Sequence, residues 1–150
     1  MIDETDRATL GGMNAPIDTH ADWHDMPNPC AFAALIGPVQ RRRDGAHWRY
    51  GLRVAPQHTN STGIMHGGVI TAFLDEVVGE IVNDLGNRKN VTVQFATTFL
   101  SKAQVGDFLE CACEIVRATR SMTFIQASLN VNGEAIATAT AIFKAMRPAT

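Results

Sequence analysis

The 150-residue chain has no excess of either charge. Thirteen Lys and Arg against fifteen Asp and Glu leave a formal −2, so no broad field points to nucleic acid or to a membrane surface. No apolar run approaches the ~20 residues that a bilayer span needs. The opening Met1-Ile2-Asp3-Glu4-Thr5-Asp6 is acidic and has no apolar stretch, unlike a signal peptide. Cys30, Cys111 and Cys113 form no C-x-x-C pair, and Cys111 and Cys113 would share one face of a strand. That pattern fits reduced core thiols rather than a disulfide framework, and the cytoplasm is the expected compartment. A G-x-S-x-G elbow, an H-E-x-x-H pair and a cysteine cluster are all missing, so neither a serine nucleophile nor a metal is expected. At this length one domain is expected, burying roughly two-thirds of its unfolded surface.

Residues 1–27 are polar, are broken by Gly11-Gly12 and Pro16, and have no periodicity, which reads as a loose arm before a single domain over 28–150. His20 and His24 have the i, i+4 spacing of a metal pair but no third ligand, and the spacing is read as chance. Asn28-Pro29 has the form of a helix cap followed by proline, opening a short helix over Cys30 to Ile36 that Gly37-Pro38 stops. Arg41-Arg42-Arg43 with Asp44-Gly45 reads as a charged turn. From Trp48 the alternation is that of a half-buried strand, with Trp48, Tyr50, Leu52 and Val54 on one side. Residues 68–83 have the helical period, nearly all apolar except for Asp75 and a wet stripe of Glu76, Glu80, Asn83 and Asp84. Gly86-Asn87 ends that helix. Strands follow from Val91, Phe108, Met122 and Glu134, the last two joined by Asn132-Gly133, a type I′ hairpin signal. The class is α+β: one enclosed helix facing an antiparallel sheet of about five strands.

Chemistry concentrates where Asn60-Ser61-Thr62-Gly63-Ile64-Met65-His66-Gly67-Gly68 runs into Val69-Ile70-Thr71-Ala72-Phe73-Leu74-Asp75. Glycines at a helix start leave backbone N–H groups free to face a ligand. A carboxylate in an apolar helix costs folding free energy unless it is used or paired. Gly67 and Asp75 are eight residues apart, roughly 12 Å along a helix axis. One carbonyl cannot meet both in one chain, so either they are unrelated or a second copy supplies the acid across a two-fold axis. A thioester suits so sparse a site, because its thiol leaves without a general acid.

The spacing Asn60-x-x-Gly63-x-x-His66-Gly67-Gly68, with Asp75 nine residues after the histidine, resembles the hotdog-fold acyl-CoA thioesterases, in their phenylacetate-degradation branch. The resemblance runs over roughly 47–146 in element order and implies a sheet wrapped around the central helix. It implies that Gly67 supplies an oxyanion N–H, that Asn60 orients the thioester or the water, and that Asp75 of a second subunit is base or nucleophile. Thr92 would stand near the water. His66 and Gly68 would brace the loop around the substrate, while Phe99 and the turn Thr119-Arg120-Ser121 would contact the pantetheine arm and nucleotide. The implied partners are an acyl-CoA substrate and a homo-oligomer, a dimer or a dimer of dimers. No cofactor is implied beyond the coenzyme A of the substrate. Two other readings of the same frame are a non-catalytic acyl-CoA-binding module and an enoyl-CoA hydratase. Loss of the acid would mark the first and an acid/base pair the second, and the chain has one acid, Asp75, in that helix face.

Overall fold

The computed structural model describes residues 22–147. In chain order these form β1 (His24–Asp25), α1 (Ala31–Ile36), β2 (Val39–Asp44), β3 (His47–Arg53), a 3-10 turn (Pro56–His58), α2 (Gly67–Gly86), β4 (Asn90–Phe99), β5 (Phe108–Ala118), β6 (Met122–Val131) and β7 (Glu134–Ala145). All strands pair antiparallel in one sheet of order β1-β2-β3-β5-β6-β7-β4, and α2 crosses its concave face. This is the hotdog arrangement expected from the sequence, with seven strands in place of about five.

The apolar stripe of α2 explains the wrapping. Phe73, Leu74, Val77 and Val78 are fully buried, with Ile70, Ile81 and Val82 beside them. Each such side chain contributes roughly 1.5–3 kcal/mol when removed from water. The sheet receives the helix on Tyr50, Leu52, Leu109, Ile125, Leu129 and Phe143, and on Ala137, Ala139 and Ala141, whose small side chains admit close packing. Asn87 ends α2 in the left-handed conformation at φ 45°. Asn132 and Gly133 both have positive φ, as a type I′ turn requires.

Three expectations are corrected. Arg41-Arg42-Arg43 is no turn: it lies inside β2, paired with Trp48 to Tyr50, and the turn is Gly45-Ala46. Three consecutive arginines on a half-exposed strand show no hydrophobic period, which hid the strand. The short helix begins at Ala31 with Cys30 as its cap, because Asn28 sits at φ 48°, outside the cap conformation. The Cys30 Sγ accepts the Ala33 N–H instead. Within the stretch read as a loose arm, His24 and Asp25 pair with Arg41 and Gln40, and Trp23 meets the Phe108 ring edge-on at 4.9 Å. Residues 1–21, with His20, lie outside the described residues.

The convex face carries a buried ionic cluster. Glu110 is 1% exposed and accepts a 2.6 Å bond from Arg49 Nη1, with Arg42 Nη2 at 3.6 Å. Arg49 also donates to Asp44. Burial works against the charged guanidinium, but the bonds to Asp44 and Glu110 outweigh it and hold Arg49 above its ordinary pKa.

Candidate functional site

The loop from Thr59 to His66 closes on itself before α2 begins. Asn60 Oδ1 accepts from the Thr62 N–H (2.9 Å), the Thr62 hydroxyl (2.7 Å) and the Ile64 N–H (3.4 Å), an Asx-type brace. Its oxygen is therefore spent on the loop, and Asn60 does not line the groove that holds Asp75 in the same chain. His58, 2% exposed, accepts the Ala55 N–H on Nδ1 at 3.0 Å and stands 2.8 Å from the Ile36 carbonyl through Nε2, tying this loop to the end of α1. The sequence gives no hint of that role, since an isolated histidine in a polar loop has no periodicity to betray burial.

His66 is the cap of α2. Its Nδ1 accepts the Gly68 N–H at 2.8 Å, and its own N–H is bonded to the His58 carbonyl. Val69 and Ile70 donate to the His66 carbonyl. Of the first-turn amides, Gly67 alone has no hydrogen-bond partner among the described residues, an unsatisfied donor at the positive end of the helix. A side chain at either glycine would interfere. A Cβ on Gly67 would stand 3.0 Å from Phe99 Cζ, and one on Gly68 would stand 2.9 Å from His66 Nδ1. Gly67→Ala keeps the N–H but presses on the Phe99 ring, so kcat/KM for a thioester is expected to fall roughly tenfold to a hundredfold with little change in Tm. Steady-state kinetics beside a melting curve tests this, and unchanged kinetics would remove Gly67 from the site.

Asp75 lies two turns further along the same face, partly buried. Its Oδ1 accepts the Thr92 hydroxyl at 2.8 Å. Thr71, between Gly67 and Asp75, bonds Thr97 Oγ1 at 3.1 Å. Gly67, Gly68, Thr71, Ala72, Asp75, Phe95 and Phe99 line one open groove of about 530 Å³. A β-bulge makes this possible. The pairing of β4 with β7 shifts between Thr92 and Gln94, leaving Val93 as the extra residue. Thr92 stands opposite the buried Phe143, whereas Phe95 and Phe99 stand opposite the buried Ala141 and Ala137. Strict alternation would put Thr92 and Phe99 on opposite faces; the bulge turns both toward α2.

Glu76 points elsewhere, accepting from Cys30 Sγ at 3.3 Å. The turn Thr119-Arg120-Ser121 lies beside the start of β4, where Ser121 accepts from Ala145 and the Arg120 carbonyl accepts from Arg88 Nη1. It does not line the groove that holds Asp75. Burial pushes the Cys111 and Cys113 thiols up, Cys113 to about 12, so neither is a nucleophile at neutral pH. A thiol reagent should label Cys30 in the native protein and reach the other two only on unfolding; fast labelling of all three would contradict their burial. Among the described residues no cluster of His, Cys, Asp and Glu could hold a metal ion, and no helix is long and apolar enough to cross a membrane.

The thioesterase-superfamily pattern matches residues 62–133, which spans the His66-Gly67-Gly68 turn, α2 and β4 to β6. A protein of Pseudomonas aeruginosa that bears an esterase name is 29% identical over 112 residues, covering 73% of this chain and 84% of that protein. A thioesterase protein of Streptococcus pneumoniae, solved with coenzyme A, is 25% identical with a TM-score of 0.64 and covers 72% of this chain and 86% of that one. A phenylacetic acid degradation-related protein of Ralstonia eutropha superposes with a TM-score of 0.69 at 23% identity, over 77% of this chain and 90% of the other.

Proposed function

We propose, for a chain that belongs to the hotdog-fold thioesterases and is thereby a thioester hydrolase, that the substrate is an acyl-CoA and that two copies build each active site. The observation that carries this reading is the groove with an unpartnered Gly67 N–H at one end and Asp75 at the other. Their eight-residue separation, roughly 12 Å along α2, is too great for one reacting carbonyl. A two-fold axis midway between them falls at Thr71. The midpoint of Thr92 and Phe99 on β4 falls at Phe95-Ala96, beside Thr97, to which Thr71 is bonded. Helix and strand thus point to the same axis, with Gly67 of one copy meeting Asp75 of the other.

The edge of β4 suits that pairing. It is ten residues long, has no neighbour on its outer side among the described residues, and leaves Val91, Val93 and Phe99 51%, 53% and 53% exposed. So long an apolar edge is a template for another strand. Antiparallel pairing about Phe95-Ala96 would bring Phe99 of one copy opposite Thr92 of the other. Lys89 is three residues before Thr92, about 10 Å along an extended strand, and its carbonyl accepts from Met146 beside the Thr119-Arg120-Ser121 turn. Arg120 on the Asp75-bearing copy is then placed for the phosphates of coenzyme A, with Phe99 of the other copy along the pantetheine arm.

In this site the thioester oxygen accepts from Gly67 N–H, aided by the helix dipole. His66 holds Gly68 so that the first turn keeps its shape. Asp75 either takes a proton from the water that attacks the carbonyl carbon or attacks that carbon itself. The C–S bond breaks and coenzyme A leaves as thiolate. In the first route the water oxygen completes the carboxylate directly; in the second a further water cleaves the acyl–Asp75 anhydride to the carboxylate and free Asp75. Thr92 holds Oδ1 and leaves Oδ2 for the reaction. A thiolate leaving group needs neither a metal nor a redox group. Label in Asp75 after a single turnover in 18O-water would establish the nucleophilic route, with water cleaving the anhydride at the Asp75 carbon.

Mixed assemblies test the shared site. Chains carrying Asp75→Ala and chains carrying Gly67→Pro are each expected to be inactive alone and to recover activity on mixing, up to one intact site per pair. Proven exchange of subunits without recovery would refute catalysis across the two-fold axis.

A further inference from the structure

At the far end of α2 from Gly67, a cavity of about 220 Å³ opens between the last turn of the helix and the ends of β5 and β6. Leu85, Gly86 and Arg88 are exposed at its mouth, and Val82 and Thr123, 4% and 7% exposed, form its depth. Ile115 and Ala118 are its other apolar walls, and Asn90 completes it. Leu85 is ten residues past Asp75, roughly 15 Å along the helix, and the fully buried Val78 and the nearly buried Phe143 fill the core between. The cavity is therefore no extension of the groove.

Its polar groups are placed unevenly. Thr123 faces inward, opposite Phe143 on β7, and its hydroxyl has no hydrogen-bond partner among the described residues. The hydroxyl opens on the cavity rather than being sealed in the core, so a ligand oxygen there would take the place of water as its partner. At the mouth, Arg88 spends Nη1 on the Arg120 carbonyl. Its Nε and Nη2 remain for a carboxylate, which a guanidinium binds through two parallel N–H groups. An apolar cavity of about 150 Å³ admits a benzene ring, so 220 Å³ holds a body of roughly six carbons with a polar atom at each end.

We propose that this cavity is a second ligand site, separate from the catalytic groove, for a short hydroxy- or oxo-carboxylic acid. The carboxylate lies on Arg88, the apolar body lies between Leu85, Ile115 and Ala118, and the far oxygen bonds the Thr123 hydroxyl. Since a thioesterase releases a carboxylic acid, the site matches the chemical class of the product, and only that connection rests on the proposed function.

Isothermal titration of the intact protein with 6-hydroxyhexanoate and with hexanoate tests the assignment without any turnover. The hydroxy acid is expected to bind up to about tenfold more tightly, the net worth of one hydrogen bond exchanged with water. Thr123→Val, which keeps the shape, is expected to abolish that difference and to leave kcat within about twofold. Arg88→Gln is expected to weaken both acids at least tenfold. Equal affinities in the wild type, or a preference that survives in a folded Thr123→Val protein, would overturn the proposal. Displacement of the acid by adenosine 3′,5′-bisphosphate would also overturn it, assigning the cavity to the nucleotide of the substrate. Failure of acyl-CoA hydrolysis with normal acid binding would instead fault the thioesterase assignment of the groove.

Discussion

Asp75→Ala is expected to lower kcat for acyl-CoA hydrolysis by about 10²–10⁴-fold, the usual contribution of a positioned base, and by more if the carboxylate is the nucleophile. Stability should change little. The side chain is only partly buried, alanine is the best helix former, and the Thr92 hydroxyl that loses its acceptor borders an open groove that water can enter. Asp75→Asn sharpens the test. An amide still accepts from Thr92 but takes up no proton and makes no acyl-enzyme. If Asp75 served only to hold Thr92, the asparagine variant would keep its activity and the alanine variant would lose it. If Asp75 does the chemistry, both fall together. Released thiol, followed over short, long and aromatic acyl-CoAs with circular dichroism as the control, decides between them.

Glu110→Ala should cost about 3–5 kcal/mol of stability and, for a domain of this size, about 10 °C or more in Tm. The cause is less the lost carboxylate than the stranded cation. Arg49 has a side chain 12% exposed, and without Glu110 it keeps Asp44 alone. Removing both charges should be far gentler: Glu110→Met with Arg49→Met replaces the pair by apolar bulk, which is often neutral or stabilising. A double variant as unstable as the single one would mean that shape rather than charge governs this patch. Catalysis should be unaffected in any protein that folds, because the cluster is on the convex face and the groove is on the concave one.

The parts of the fold legible in the sequence are those whose period is written in apolar residues. The bounds of α2 came within three residues of the observed ones because one stripe from Ile70 to Val82 needs burial all along it. β6 began and ended as read, fixed by the Asn132-Gly133 turn on one side. β2 was hidden because Gln40 to Asp44 carries polar side chains on both faces, and its apolar content is Val39 alone. β1 is two residues long, too short for any period. Of the candidate site, Gly67 and Asp75 were legible as candidates through the cost of a bare amide and a bare carboxylate in an apolar helix. The mutual bond of Asp75 and Thr92 was not, because it depends on a break in alternation that no local residue type announces. Asn60 was legible as polar and conspicuous, but the same amide oxygen suits an Asx turn, and the loop takes it.

The bulge at Val93 means that β4 carries its candidate site residues in two reading frames. Thr92 belongs to the frame before it, and Phe95, Thr97 and Phe99 belong to the one after. A substitution at Val93 leaves both frames in place, since its side chain is about half exposed and meets no core. Loss of the residue is another matter. With one position fewer, the strand can keep the phenylalanines against α2 or keep Thr92 against Asp75, but not both. This strand should therefore tolerate other apolar letters at Val93, which keep the exposed edge apolar, but very little change in spelling length, and an otherwise similar chain one residue shorter here would have to compose its acid's partner from a different strand position.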